Sequence, residues 1–199
     1  MTSAEISQFM HALKLQIQNV KRFLDESGYE FDNPDEALPG VSPDNEKVLL
    51  RISKEVGDIP KALLEFYRVI GSVNFCGHHK NWSGCKYPNP LVIYPPEAAL
   101  SELDEYLEDR AEYEVSYGGF RISIAPDYYH KADVSGGMWY GVAVPAESDN
   151  PIVLEEHHNK RFVEYLALNL SFGGFLGLEN QTDKSTWPLD KLRAAANQV

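Results

Sequence analysis

The chain has 199 residues, of which 43% are hydrophobic and 12% aromatic, and its formal net charge at pH 7 is −12. That length accommodates one full-sized domain, which buries roughly 70% of its unfolded surface without help from a disulfide or a metal. The 18 Lys and Arg residues form no basic cluster and are outnumbered by 30 Asp and Glu residues, which disfavours binding to nucleic acid or to an anionic membrane surface. A basic protein partner is the natural complement of this charge.

The sequence predicts a cytoplasmic protein. Its N-terminus, Met1 to Glu5, has neither the basic start nor the apolar run of a signal peptide. No apolar stretch approaches the roughly 20 residues that cross a bilayer. In the cytoplasm the two cysteines, Cys76 and Cys85, are expected to be reduced thiols.

An amphipathic helix is predicted over residues 4–24. Thr2 and Glu5 have the spacing of a capping box at its start. Apolar side chains recur at alternating steps of four and three residues along one face: Ile6, Met10, Leu13, Ile17, Val20 and Leu24. This stripe is shorter than that of a coiled coil, which favours docking against the rest of the domain, with dimerisation as the alternative.

The rest of the chain predicts a single α+β domain with a largely antiparallel, multi-stranded sheet flanked by helices. Pro60 is suited to open a helix and Gly71 to close it, and four helices are predicted: residues 44–56, 61–70, 96–109 and 160–172. Strands are predicted at residues 73–76, 91–94, 120–125, 140–144 and 152–154. The last three follow one another without an intervening helix, which favours antiparallel pairing. The expected organisation is an N-terminal helix (1–27), a linker or surface loop (28–43) and the α+β domain (44–199).

Acidic residues are concentrated in two segments. Residues 25–46 contain eight carboxylates and no Lys or Arg, and residues 97–114 contain eight more against Arg110 alone. In the second segment apolar residues recur at helical spacing, so the carboxylates are expected on the opposite face of the 96–109 helix. Because like charges on one helix face repel, this arrangement favours a function in binding. The acidic residues expected to contact a partner are Glu102, Asp104, Glu105, Glu108 and Asp109.

Aromatic residues in loops form a second candidate binding surface. Four of them lie in polar segments between predicted elements: Trp82, Tyr128, Tyr129 and Trp139. Tyr and Trp dominate interface hot spots, so we expect these side chains to contribute to partner binding. The alternative is that they pack over the open end of the sheet.

The chain offers one dense set of possible metal ligands, within ten residues: Cys76, His78, His79 and Cys85. Their C-x-H-H-x5-C spacing matches no common zinc module. A strand ending in a polar loop is therefore the favoured interpretation, with a metal site or a cysteine nucleophile as the alternative.

A second histidine pair, His157 and His158, follows Glu155 and Glu156. It lacks the H-E-x-x-H spacing that places two zinc ligands one helical turn apart, so these residues are interpreted as a solvated loop. The glycine pairs lack the context of a phosphate loop, and no serine elbow occurs. The sequence therefore predicts no catalytic residues, no metal ligands and no cofactor.

Short motifs in this chain resemble the SMI1/KNR4 family, also called the SUKH superfamily. They are residues 59–67 (IPKALLEFY) followed by Gly71, residues 90–94 (PLVIY), residues 162–166 (FVEYL) and residues 173–177 (GGFLG). The resemblance spans roughly residues 45–180. Bacterial members of the family are typically shorter at the N-terminus, so the predicted N-terminal helix is an addition.

The resemblance implies one α+β domain without a catalytic motif. It also implies the role of many bacterial members, which are immunity proteins that bind and neutralise toxins, often nucleases, whereas fungal relatives are scaffolds in cell-wall signalling. We therefore expect a non-enzymatic module that binds a basic toxin domain, as a monomer or weak homodimer, without nucleic acid or membrane. Two alternatives stay open: a metal-binding protein or enzyme using residues 76–85, and a scaffold that dimerises through its N-terminal helix.

Overall fold

The computed structural model describes residues 1–182 and 184–198. Within these residues the chain forms seven α-helices: α1 (Ser3–Ser27), α2 (Asn45–Val56), α3 (Lys61–Val69), α4 (Ala99–Glu108), α5 (Arg110–Tyr117), α6 (Phe162–Ser171) and α7 (Leu189–Ala196). The same residues contain six strands: β1 (Glu30–Phe31), β2 (Val73–Asn74), β3 (Gly77–His78), β4 (Val92–Ile93), β5 (Phe120–Ala125) and β6 (Tyr140–Val144). Short 3-10 helices lie at Pro34–Glu36, Pro96–Ala98, His130–Ala132 and Leu176–Asn180.

The strands pair in antiparallel ladders, β1 with β3, β2 with β4 and β5 with β6. The first residues of these ladders pair as Glu30 with His78, Val73 with Ile93 and Phe120 with Val144. Further hydrogen bonds extend the ladders: the Tyr94 N–H donates to the Ile124 carbonyl at 2.8 Å, and Gly141 and Leu154 exchange two backbone hydrogen bonds, at 2.8 and 3.3 Å. The predicted α+β class, with antiparallel strands flanked by helices, is confirmed.

In the longest strand, β5, buried and half-buried side chains alternate over the first five residues, as the sequence predicts. On β5 the side chains of Phe120, Ile122 and Ile124 are buried, whereas Arg121 and Ser123 are half-buried on the other face. Alternate residues of a strand point to opposite faces, so one face of β5 joins the core and the other is available to line a surface site.

Helix α1 packs against the rest of the domain, mainly against α3 and α7. Its predicted capping box is present, and all six residues of its apolar stripe are at most 1% exposed. Fully burying a side chain of this size contributes about 1.5–3 kcal/mol, so the stripe is a large part of the core. Docking is therefore confirmed, and no face of the stripe is left for dimerisation. None of the helices in the described residues combines the length and apolarity needed to cross a membrane.

Gly71 ends the α3 segment with a φ of +92°, in the left-handed region that the sequence predicts. A Cβ at this position would collide with the carbonyl oxygen of Gly40. Glycine therefore lets the 39–41 loop approach the end of α3 closely.

Several predicted boundaries are wrong. The predicted 96–109 helix begins as a 3-10 turn, and a second helix, α5, follows it directly. The predicted 152–154 strand consists of isolated bridges at Ile152 and Leu154. The stretch predicted as linker or surface loop contains β1 and a 3-10 turn, and α7 is an additional helix. Most of these elements are very short, and contacts with residues far away in the sequence hold them in place, so they have little sequence pattern of their own.

Candidate functional site

An acidic helical hairpin, α4–α5, forms one side of the candidate site. Asp109 ends α4 with φ −134° and ψ 62°, and its side chain accepts a hydrogen bond from the Glu112 N–H at 3.1 Å. The same residue thus terminates one helix and caps the next. Gly118, in the left-handed conformation at φ +72°, closes α5.

Tyrosine hydroxyls hold the two helices of the hairpin together. The Tyr113 hydroxyl donates to Glu105 Oε2 at 3.1 Å, and the Tyr106 hydroxyl donates to Glu114 Oε1 at 3.2 Å. The two tyrosine rings contact each other edge to face, with centroids 5.6 Å apart. These hydrogen bonds to carboxylates offset part of the like-charge repulsion within the hairpin.

A cleft of about 210 Å³ lies between this hairpin, β5 and the turn before β6. We call it the acidic–aromatic cleft. Its lining includes two carboxylates, three aromatic rings and one thioether, together with the side chains of Arg121 and Ser123: Glu102, Glu105, Tyr113, Tyr117, Trp139, Met138, Arg121 and Ser123. The structure thus brings the acidic helix and an aromatic loop residue, two separate sequence predictions, to one place.

Trp139 is held in a fixed position although 49% of it is exposed. Its ring packs against Tyr94, at 5.7 Å between centroids, and stacks on His130 at 5.9 Å. The His130 ring is in turn hydrogen-bonded to buried Asp127, with 2.7 Å between Nδ1 and Oδ2. A positioned, half-exposed indole loses little conformational entropy when it binds a partner.

The charge in the cleft is predominantly negative. Burial raises the pKa of Glu102, and a hydrogen bond from the Ser123 N–H at 3.2 Å partly offsets this. Arg121 also lines the cleft, but its guanidinium donates to Glu155 at 3.2 Å and to the Tyr117 carbonyl at 2.9 Å. Its positive charge is thus already paired with Glu155 and the Tyr117 carbonyl, and not with Glu102 or Glu105.

The other predicted acidic residues lie on the hairpin but do not line the cleft. Asp104 forms an ion pair with Arg51. Glu108 is exposed, and Asp109 is the cap described above. Glu102, expected on the solvent face, is instead half-buried against β5.

The remaining predicted aromatic residues lie elsewhere. Trp82 packs between His79, at 4.4 Å between ring centroids, and Trp187, at 5.0 Å. This agrees with the alternative in which the loop aromatic residues pack within the domain. Tyr128 and Tyr129 contact each other at 4.1 Å and both pack edge to face on Tyr87. Tyr128 borders a different cleft from Trp139.

Seven residues that line the acidic–aromatic cleft were not predicted from the sequence: Tyr113, Tyr117, Gly119, Arg121, Ser123, Met138 and Gly141. The signals for α5 were present, because Asp109 is a suitable N-cap, Gly118 a suitable stop, and the two tyrosines have i, i+4 spacing. Met138 had no such signal, since its place depends on how the turn before β6 folds.

The four possible ligands of residues 76–85 do not form a group in the described part of the chain. His79 Nε2 lies 3.0 Å from the Ser27 carbonyl, His78 lies beside Glu30, and Cys85 lies near the Gly177 carbonyl. Both cysteines are free. Burial raises the pKa of the Cys76 thiol to about 11, so it is protonated at neutral pH and a poor nucleophile.

The interpretation of residues 155–158 as a solvated loop is wrong for two of them. The Glu156 side chain is fully buried and that of His158 is largely buried. Left-handed conformations at Glu155 (φ +64°) and Asn159 (φ +50°) turn the chain on either side, and this gathers the side chains that an extended strand would send apart.

No family model, curated protein or solved structure matches this chain. The resemblance to the SMI1/KNR4 family therefore stays a prediction.

Proposed function

We propose that this chain is a non-enzymatic protein-binding module, and that its acidic–aromatic cleft receives a Lys or Arg side chain of a basic partner protein. The observation that supports this proposal most is the convergence of Glu102, Glu105 and Trp139 on one cleft. Carboxylates and aromatic faces are the two groups that bind organic cations in proteins.

The cleft suits a long cationic side chain. Its aromatic walls, from Tyr113, Tyr117 and Trp139, offer faces against which an aliphatic stem or a guanidinium plane packs. The carboxylates of Glu102 and Glu105, one helical turn apart, provide the acceptors. Charge-assisted hydrogen bonds of this kind contribute about 1.5–3 kcal/mol each.

The surface around the cleft extends the same complementarity. Glu108, Glu112 and Val115 are exposed on the hairpin, and Val115 retains 89% of its accessible surface. An exposed apolar side chain among carboxylates is typical of a surface that binds a partner with a mixed basic and apolar face. A toxin domain is the partner that the family resemblance implies, and nuclease toxins are commonly basic.

The test compares two double variants in partner capture from the source cells. The cleft variant, Glu105→Gln with Trp139→Ala, removes one charge and one aromatic wall. The matched control, Glu55→Gln with Leu50→Ala, removes one charge and one exposed apolar side chain from α2. Circular dichroism and thermal melting establish that both variants are folded.

We expect wild type and control to capture the same basic protein at low salt and to lose it at high salt, because exposed charges are screened. The cleft variant is expected to capture at least about tenfold less, since it loses a charged hydrogen bond and an aromatic contact. Equal capture by the cleft variant and the control would contradict the assignment of the cleft.

A further inference from the structure

Two histidines and two glutamates form a cluster outside the acidic–aromatic cleft: Glu156, His157, His158 and Glu179. The two imidazole rings lie against each other, with centroids 3.9 Å apart. Ligand atoms of Glu156, His157 and His158 all lie within 4.8 Å of one another. Glu179 comes from the 3-10 helix Leu176–Asn180 and closes the other side of the cluster.

The distances around Glu156 approach those of a metal site. Its Oε1 lies 3.4 Å from His157 Nδ1 and 2.6 Å from His158 Nδ1. Two ligands of one tetrahedral zinc ion, with bonds of about 2.0–2.1 Å, are about 3.3 Å apart. The distance from Glu156 Oε1 to His157 Nδ1 already has about this value. The distance from Glu156 Oε1 to His158 Nδ1 would reach it by increasing by less than 1 Å.

Glu179 occupies the position of a supporting carboxylate. Its Oε2 lies 3.0 Å from His158 Nε2, and its Oε1 lies 3.7 Å from His157 Nε2. Metal-binding histidines almost always donate their second ring N–H to such an acceptor, which fixes the tautomer and aims the metal-binding nitrogen. Here the contact with Glu179 directs His158 Nδ1 towards Glu156, and the His157 ring, which lies too far from Glu179 for a hydrogen bond, also has its Nδ1 on the side of Glu156.

The charge and exposure of the cluster also suit a cation. The Glu156 side chain is 0% exposed, and a buried carboxylate is costly unless hydrogen bonds or a positive charge compensate it. A cleft of about 460 Å³, bordered by His157, Glu179 and Tyr128, connects the cluster with solvent. His157 is 52% exposed on this side, so an ion has a path to the ligands.

We propose that Glu156, His157 and His158 bind a zinc ion, with Glu179 orienting the His158 imidazole. Two nitrogens and one carboxylate oxygen form a donor set that zinc accepts. All three ligands lie in the loop before α6, and Glu179 links this loop to the 3-10 helix that follows α6. This site is independent of the acidic–aromatic cleft and of the function proposed for it.

The test is a calorimetric titration of the full chain, stripped of metal with a chelator, with zinc chloride near neutral pH. We expect one zinc ion per chain and a rise in melting temperature on zinc addition, since a ligand of the folded state stabilises it. Glu179→Gln is expected to weaken zinc binding by about 10–100-fold, as loss of a supporting carboxylate does. His157→Ala, which removes a ligand from a half-exposed position, is expected to weaken it more.

His78→Ala is the matched control, because His78 is also an exposed histidine, 3.6 Å from the Glu30 carboxylate. It is expected to bind zinc as wild type does. The proposal is overturned if wild type binds no zinc. It is also overturned if His157→Ala keeps wild-type affinity, or if binding is weak and multiple in all variants, as adventitious binding to an acidic surface would be. Circular dichroism of His157→Ala separates lost ligation from lost folding.

Discussion

Glu102 combines a cost in stability with the role in binding that we propose for it. Its pKa is raised by burial, so the stability that it contributes is present at low pH and is lost as the pH rises through its folded-state pKa. At neutral pH its charge is therefore unfavourable for folding, while the proposed cationic partner needs that charge. Such a conflict is common at functional sites.

We predict that Glu102→Gln separates the two effects. Its free energy of unfolding at neutral pH should be within about 0.5 kcal/mol of wild type or higher, because the amide oxygen still accepts the Ser123 N–H. Affinity for the basic partner should fall by about 10–100-fold with the loss of a charged hydrogen bond. Denaturant melts and binding titrations measure the two, with exposed Glu26→Gln as control. Unchanged affinity would remove Glu102 from the binding site.

Lys131 is a second partly buried ionisable residue. Its Nζ donates to Asn89 Oδ1 at 2.9 Å and lies 5.2 Å from the centre of the Tyr140 ring. Burial lowers the pKa of Lys131 to about 8, and nearby acidic groups oppose this only in part. Between about pH 8 and its ordinary pKa the unfolded chain therefore binds more protons at this residue than the folded chain does.

The sign of the resulting pH dependence follows from that difference. The free energy of unfolding of wild type, measured relative to Lys131→Met, should rise by about 1–3 kcal/mol between pH 7.5 and 10. Taking the difference between the two proteins cancels the contribution of the buried tyrosines. The free energy of unfolding of Lys54→Met, at an exposed position, should change with pH in parallel with that of wild type. If the free energy of unfolding of Lys131→Met also changes in parallel with that of wild type, Lys131 titrates at its ordinary pKa and the prediction is wrong.

At the scale of elements, α1 is the clearest case of a helix stabilised by packing. Ile17 is 0% exposed in the middle of its apolar stripe, whereas Leu15 on the same helix is 50% exposed. We predict that Ile17→Ala lowers the free energy of unfolding by about 2–5 kcal/mol and that Leu15→Ala costs far less. Denaturant midpoints check this. Light scattering should give both variants the mass of wild type; loss of an oligomer in Ile17→Ala, without loss of stability, would restore the dimerisation alternative.

The elements that the sequence predicted well are those with a strong internal pattern. The bounds of β5 and β6 match the prediction because alternation extends over their whole length, and α1 has both a capping box and a regular stripe. The two-residue ladder of β1 with β3 has no pattern of its own and exists because distant segments meet. Helix α5 is short and mostly exposed, so its hydrophobic period is weak.

Only some residues of the candidate site were predictable from the sequence, and their arrangement was not. Glu105 and Trp139 were both expected at a binding surface. Periodicity indicates which side chains face solvent, but it does not indicate which elements are neighbours in space. Only the packing of the α4–α5 hairpin on β5 brings Glu105 and Trp139 to one cleft, and only the turn at Glu155 and Asn159 gathers the histidine–glutamate cluster.

At the scale of the whole molecule, the charge of −12 acts together with the cleft. An acidic field attracts a basic partner from a distance and speeds the encounter, but it does not determine where the partner docks. In the proposed function, the positioned indole and the two carboxylates of the cleft supply that specificity. In this account, salt weakens the encounter, whereas cleft variants weaken the bound complex.

The most direct measurement is an NMR titration of the ¹⁵N-labelled chain with the purified partner, following the indole N–H signals of its three tryptophans. Trp139 is half-exposed in the cleft, whereas Trp82 and Trp187 pack against each other and are internal controls. We predict that the Trp139 signal shifts in proportion to bound partner while the other two stay in place. A complex that forms while the Trp139 signal stays unchanged would contradict the account.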